Sequence, residues 1–303
     1  MRYTRRNFIG TAAAVGAALG AAGGRAARAT LAPPASEGDD RRVFHNGKLG
    51  LGLVTYNVGK DMDLETLITT CEAAQLDAVE LRTTHAHGVE PSLTPEQRAA
   101  VRERFAASSV ALAGLGSTCE YHSPDPDTVR AQIERTFEFV ELAEDIGAIG
   151  VKVRPNGLPE GVDPEKTLEQ IGRALEECAG KARECGVEIF VEVHGGGTSD
   201  PRNMRRIMDV CTDPVVGVTW NCNQSDLAAG SIKETFPLLR DRVKMIHTHD
   251  WYEDYPYKQE LIPFLLEMGF TGYCLAEMPE TADPVRVLRY YRKLFDEWVK
   301  GLS

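Results

Sequence analysis

Residues 163–196 read "DPEKTLEQIGRALEECAGKARECGVEIFVEVHGG", and this run contains one complete structural unit. Asp163 can accept hydrogen bonds from the unpaired amides of a first helical turn, and Pro164 has the fixed φ that a first helical residue needs. Apolar residues then recur at the 3.6-residue helical period until Gly186 closes the helix. The next seven residues, "VEIFVEV" (187–193), form a short apolar run of the kind that builds a buried strand. They lead into the polar tip His194-Gly195-Gly196.

The same order of strand, polar tip, helix and closing glycine repeats along the chain. Apolar runs begin at Leu51 ("LGLVTYN"), Ala78 ("AVELR"), Val110 ("VALAGLGS"), Ile149 ("IGVKVR"), Val187, Val216 ("VGVTW"), Val243 ("VKMIHTH") and Tyr273 ("YCLAEM"). Between them, "DPDTVRAQIERTFEFVELAEDIG" (125–147) places Val129, Ile133, Phe137, Val140 and Ala143 or Glu144 around one helical face. Strands alternating with helices pair in parallel through right-handed crossovers. Eight such units predict a single-domain α/β fold, the (β/α)8 TIM barrel, over residues 48–303. An open doubly wound sheet would carry a glycine-rich phosphate loop after its first strand, and "YNVGKDMD" (56–63) is a poor one.

Ahead of the barrel, "TRRNFIG" (4–10) precedes a Gly/Ala-rich run, and Ala27-Arg28-Ala29 offers a cleavage site. The pattern resembles twin-arginine (Tat) signals. Residues 1–29 are therefore expected to be a signal peptide and residues 30–47 a flexible lead-in, with the mature protein periplasmic or secreted. The apolar run is broken by glycines and shorter than the roughly 20 residues of a membrane span, so no membrane partner is expected after cleavage.

The whole chain has 34 basic and 45 acidic residues, a net charge of −11. Residues 1–29 hold five of the arginines and no acid, so the remainder carries 29 basic against 45 acidic residues, about −16. Such a surface repels phosphate backbones, and no nucleic-acid partner is expected. The seven cysteines include no C-x-x-C pair, and several fall within helix or strand patterns. They are expected to be buried thiols, and no disulfide is assigned.

In a barrel of this kind, reactive groups gather at the C-terminal ends of the strands. Six of the seven histidines fall there: His85, His87, His122, His194, His247 and His249, with His45 the exception. Glu192 and His194 are two apart on strand five, and His247 and His249 two apart on strand seven, so each pair shares a side. Val191, Val193 and Ala276 take the opposite face, which turns Glu192 and Glu277 toward the barrel axis. Carboxylates buried there need a counter-charge. Lys152 and Arg154 of "VKVRP" provide one as a structural network; a divalent metal with oxygen and imidazole ligands is the alternative.

"VELR" (79–82), "VEVHGG" (191–196), Trp220, "HTHD" (247–250) and "AEMPE" (276–280), in this order and spacing, resemble the xylose isomerase-like barrels, also called the sugar phosphate isomerase/epimerase family. The resemblance covers about residues 49–300. It implies one divalent metal (Mn, Mg, Co or Zn) held by Glu192, Asn221, His249 and Glu277, with Glu192 and Glu277 also moving a proton beside a carbonyl. His247 and Asp250 would orient His249. Glu80, His85, His87, Lys152, Arg154, His194, Gln224 and Trp251 are the candidates for holding substrate.

The sequence departs from the family pattern in "VGVTWNCNQSD" (216–226). The usual acid falls on Asn221 and the usual nearby histidine on Gln224, so the metal would lose one charged ligand and bind more weakly. Asp226 can compensate through water or cap a helix beginning there.

One reading is thus a metal-dependent isomerase, epimerase or lyase acting on an unphosphorylated ketosugar or keto-glycoside. The other is a non-catalytic sugar-binding barrel whose metal site has degenerated at Asn221 and Gln224, with Trp220, Trp251 and "WYEDYPY" (251–257) offering aromatic faces. A nuclease like the family's apurinic endonuclease branch would need a basic surface and more ligands. In either favoured reading the partner is a small carbohydrate; the sequence leaves homo-oligomerisation open.

Overall fold

The computed structural model describes Phe44 and residues 49–301. The expected signal peptide, and the lead-in apart from Phe44, lie outside the described residues. Eight strands form one closed, all-parallel barrel in chain order: β1 (Leu49–Val54), β2 (Ala78–Arg82), β3 (Ala111–Glu120), β4 (Gly150–Arg154), β5 (Glu188–Glu192), β6 (Val216–Trp220), β7 (Val243–Thr248) and β8 (Gly272–Ala276). β1 closes the ring on β8, with Leu49 opposite Gly272 and Leu53 opposite Ala276.

Between the strands lie α1 (Leu64–Ala74), α2 (Pro95–Ala106), α3 (Pro126–Ile146), α4 (Pro164–Glu184), α5 (Pro201–Val210) and α6 (Ile262–Glu267), and α7 (Pro284–Lys300) follows β8. Local chemistry sets most of their starts. Asp125, Asp163, Asp200 and Asp283 each accept a backbone amide of the first turn, with proline next in sequence. Gly147 ends α3 in the left-handed conformation, at φ 78°.

The sixth unit breaks the expected rhythm. Between β6 and β7 the described residues form two 3-10 turns, Gln224–Asp226 and Phe236–Leu238, in place of an α-helix. Gly230 turns left-handed there and Pro237 removes a donor, so no run is long enough to repay helix nucleation. The barrel therefore has eight strands and seven α-helices among the described residues. Asp226 caps no α-helix.

Two apolar layers result from the period-two alternation of the strands. Phe190, Met245, Tyr273 and Leu275 fill the barrel interior with Val54, Ala78 and Ala113. Val191, Val193, Val218, Trp220 and Ala276 face outward into the larger core against the helices. Phe190 takes up so much of the interior that Gly150 on the neighbouring strand has no room for a Cβ, which would lie 2.4 Å from the ring. All seven cysteines are unpaired, six of them buried.

Candidate active site

The apolar interior gives way to polar side chains at the rim where the strands end. Stepping two residues on from interior positions leads from Ala78 to Glu80 and Arg82, from Phe190 to Glu192 and His194, from Met245 to His247, and from Leu275 to Glu277. Together with Val54, Tyr56, Lys152 and Arg154, these side chains enclose a cavity of about 120 Å3.

His247, only 1% exposed, sits at the centre. Its Nε2 lies 3.1 Å from Glu80 Oε2. Its Nδ1 lies 3.5 Å from Glu192 Oε1 and 3.6 Å from Glu277 Oε2, distances of ion pairing and too long for hydrogen bonds. On the other side, Lys152 Nζ donates to Glu192 Oε2 at 2.7 Å.

Burial alone would push protons onto these carboxylates, but Lys152 and His247 outweigh it and hold Glu192 well below the usual range. Burial works against ionisation of Glu277 too, and contact with His247 again lowers it. His247 mirrors them: burial lowers its pKa, and Glu80, Glu192 and Glu277 together raise it well above the ordinary imidazole value. An imidazolium between two carboxylates is the resulting state.

A divalent ion fits this donor set. One atom each from Glu192, His247 and Glu277 can be chosen so that all lie within 4.8 Å of one another. Two ligands each about 2.0–2.2 Å from one ion have that order of separation. His247 Nδ1, Glu80 Oε1 and Asn221 Oδ1 are buried without a hydrogen-bond partner, and unpartnered buried atoms of this kind call for an ion or water.

The geometry reverses the roles expected of the two strand-seven histidines. His247 lies within reach of both glutamates, whereas His249 Nε2 is 3.9 Å from Glu277. His249 Nδ1 instead faces Glu253 at 3.5 Å. Its backbone is held by the hydroxyls of Tyr257 and Tyr291, and no hydrogen bond among the described residues joins it to Asp250. The reason is depth: β7 ends at Thr248, so His247 is still inside the barrel while His249 is already on the rim.

The remaining expected residues divide in the same way. Glu80 turns inward, where it holds His247, a support that the alternation in "VELR" could have revealed. His194 lines the cavity, its Nδ1 3.0 Å from Asn156 Oδ1. His85 sits near the mouth with Nδ1 2.8 Å from Thr55 Oγ1; burial and Arg82 lower its pKa to about 4, so the ring is neutral. His87 is taken up by its own loop, through Arg82 O and Val89 N. Arg154 pairs with Glu120 and leaves the neutralisation of Glu192 to Lys152.

Gln224 is exposed, its amide 3.4 Å from Asp254 O. Trp251 stacks on Tyr291 with ring centroids 4.0 Å apart. Trp220 is fully buried on the outward face, its Nε1 donating to Tyr255. Neither tryptophan lines the central cavity. Tyr56 and Arg82 went unnoticed in the sequence, although each continues an inward alternation; the Arg82 guanidinium carbon lies 5.6 Å from the Tyr56 ring centroid.

Behind Asn221, Asp226 fastens the loop after β6. Its Oδ2 accepts Asn223 N at 2.8 Å and the Tyr255 hydroxyl at 3.0 Å. Burial raises its pKa to about 7 against the pull of those two donors. The unfolded carboxyl titrates near about 3.9. Between these values the folded state keeps a proton that the unfolded state has released, so this group lowers stability as pH rises from about 4 to 7. The total is bounded at roughly 4 kcal/mol. Asp226→Asn should remove the dependence: urea midpoints measured from pH 4 to 8 should fall less steeply in the variant. Parallel profiles would show that Asp226 does not titrate in this window.

Residues 68–294 match the xylose isomerase-like TIM barrel family, and the chain belongs to that family. No curated protein matches it in sequence. Among solved structures it is similar to L-ribulose 3-epimerase, at 11% identity over 84% of this chain and 95% of that one, TM-score 0.71. It is also similar to D-psicose 3-epimerase from Clostridium cellulolyticum H10, solved with D-tagatose, at 14% identity over 82% and 99%, TM-score 0.70. A third is the IolI protein with a zinc atom, at 15% identity over 84% and 99%, TM-score 0.67. At such identities the likeness is one of fold.

Proposed function

We propose that this barrel is a metal-dependent carbohydrate isomerase, epimerase or lyase that moves a proton on the carbon beside the carbonyl of an unphosphorylated ketosugar or keto-glycoside. The observation that carries this reading is the placement of Glu192 and Glu277 on either side of His247 Nδ1. Both carboxylates are held ionised, so either can accept the substrate proton and the same or the other can return it. Such a step contributes about 10²–10⁴-fold to the rate. Glu192, Asn221, His247 and Glu277 would hold the ion, which when bound polarises the substrate carbonyl and offsets the negative charge that develops there. Glu80 fixes the His247 ring from behind. The acidic surface and the proposed export both favour uncharged sugars.

The Lys152–Glu192 pair favours the second reading, a sugar-binding barrel without turnover, because it neutralises part of the site without any ion. Calorimetric titration with Mn²⁺, together with NMR of ketosugars incubated with the protein in D₂O, separates the two. The enzyme reading expects about one ion per chain and deuterium entering beside the carbonyl. Asn221→Asp should tighten the ion by about tenfold or more, since charge count tunes such sites. Sugar binding with neither ion uptake nor exchange would select the non-catalytic barrel.

A further inference from the structure

Beside the central cavity, beyond the ends of β3, β4 and β5, runs a groove of about 420 Å3 walled by His122, Ser123, Asn156, Leu158, Pro159 and Gly196. A polar partition of two side chains in contact separates the two. His194 lines the cavity and contacts Asn156, which lines the groove. Asn156 Nδ2 donates to Glu120 Oε1 at 2.7 Å, and Glu120 is also paired with Arg154 in the cavity wall. Gly195 makes this closeness possible: at φ 93°, its Cβ would lie 2.5 Å from the Asn156 backbone.

Sites for small organic ligands run from about 300 to 1,000 Å3. The central cavity, at about 120 Å3, falls short of that range, and the adjoining groove brings the combined space within it. The groove offers polar groups in His122, Ser123 and Asn156 and apolar surfaces in Pro124, Leu158 and Pro159. A sugar ring, with hydroxyls at its edge and C–H groups on its faces, presents the matching pattern. His122 Nδ1 is buried and faces Glu120 Oε2 at 3.9 Å, which ties this wall to the same carboxylate that Asn156 and Arg154 contact. A larger hollow of about 630 Å3 beyond β6 and β7 competes less well. It meets the rim through Glu253, which faces His249 and not the cavity, and the Trp251 ring in its wall is already stacked.

We propose that the groove is a subsite for the second sugar unit of a glycoside, so that the protein takes the keto unit of a disaccharide in preference to a free ketose. This rests on the central cavity being the reacting site. Gly196 allows a direct test. A Cβ there meets no atom within 4 Å, and its backbone lies outside the left-handed region, so Gly196→Trp fills the groove without straining the chain.

Deuterium exchange beside the carbonyl is followed for D-fructose and for three glycosyl-fructoses of different linkage (isomaltulose, turanose and lactulose), with binding of each measured by calorimetry. At least one disaccharide should show a KM about tenfold or more below that of fructose, and Gly196→Trp should bring that ratio to about one. Equal handling of all four sugars by the wild type, or a preference that survives Gly196→Trp, overturns the subsite. Failure of the central-site reading has a different signature, no exchange with any sugar. Disaccharide binding lost in Gly196→Trp would then still support the subsite, and no disaccharide binding by either protein would overturn it.

Discussion

Glu277→Gln should lower the rate of proton exchange by about 10²–10⁴-fold, roughly 3–5 kcal/mol of barrier. The side chain is 20% exposed, and its charged neighbours among the described residues, His247 and His249, lie beyond hydrogen-bond distance. The amide keeps the shape, so unfolding midpoints should shift little. Because the lost interaction belongs to the transition state, kcat and kcat/KM should fall together. Glu277 would be excluded from the chemistry by a variant that exchanges protons at the wild-type rate.

Lys152→Met should have its main effect on stability without metal. Lys152 and Glu192 are both nearly fully buried, and removing one partner of such a pair leaves the other charge uncompensated, at a cost of about 3–5 kcal/mol. His247 remains beside Glu192 and places the loss toward the lower end. A thermal midpoint lower by roughly 10 °C is the expected result. Millimolar Mn²⁺ should restore most of the loss, because an ion at Glu192 supplies the positive charge that the ammonium had provided. The same variant should bind Mn²⁺ more tightly than the wild type, which must first give up the Lys152 contact. Equal Mn²⁺ affinities in the two proteins would show that ion and ammonium do not share Glu192.

The placement of Lys152 bears on the question raised by Asn221. With an amide in place of an acid just after β6, the charges of the site are the buried Glu80 and Glu192 and the half-buried Glu277, facing Lys152 and His247. A divalent ion entering this set must displace the proton that the neighbouring carboxylates hold on His247 and loosen the ammonium from Glu192. Ion affinity should accordingly increase with pH.

The barrel was legible in the sequence because its causes are local. Alternating strands, Asp-Pro helix starts and closing glycines each act within a few residues, and their repetition fixes the count of strands. The missing sixth helix was less visible, since the stretch from Asn221 to Arg242 is broken up by Gly230 and Pro237 only one residue at a time. Inward alternation also turns Glu192 and Glu277 toward the axis and sets His247 and His249 on one side of their strand.

Depth and partner choice were decided by the tertiary structure. Two histidines on the same side of one strand are equivalent in sequence, and the end of β7 at Thr248 makes one a buried neighbour of three carboxylates and the other a rim residue. Lys152 and Arg154 are likewise equivalent until β3 places Glu120 beside the arginine. The sequence by itself determined the barrel and which faces look inward, because backbone periodicity is a property of neighbours along the chain. Which charge meets which was settled only by ring closure, which sets strands distant in sequence at fixed register around one axis.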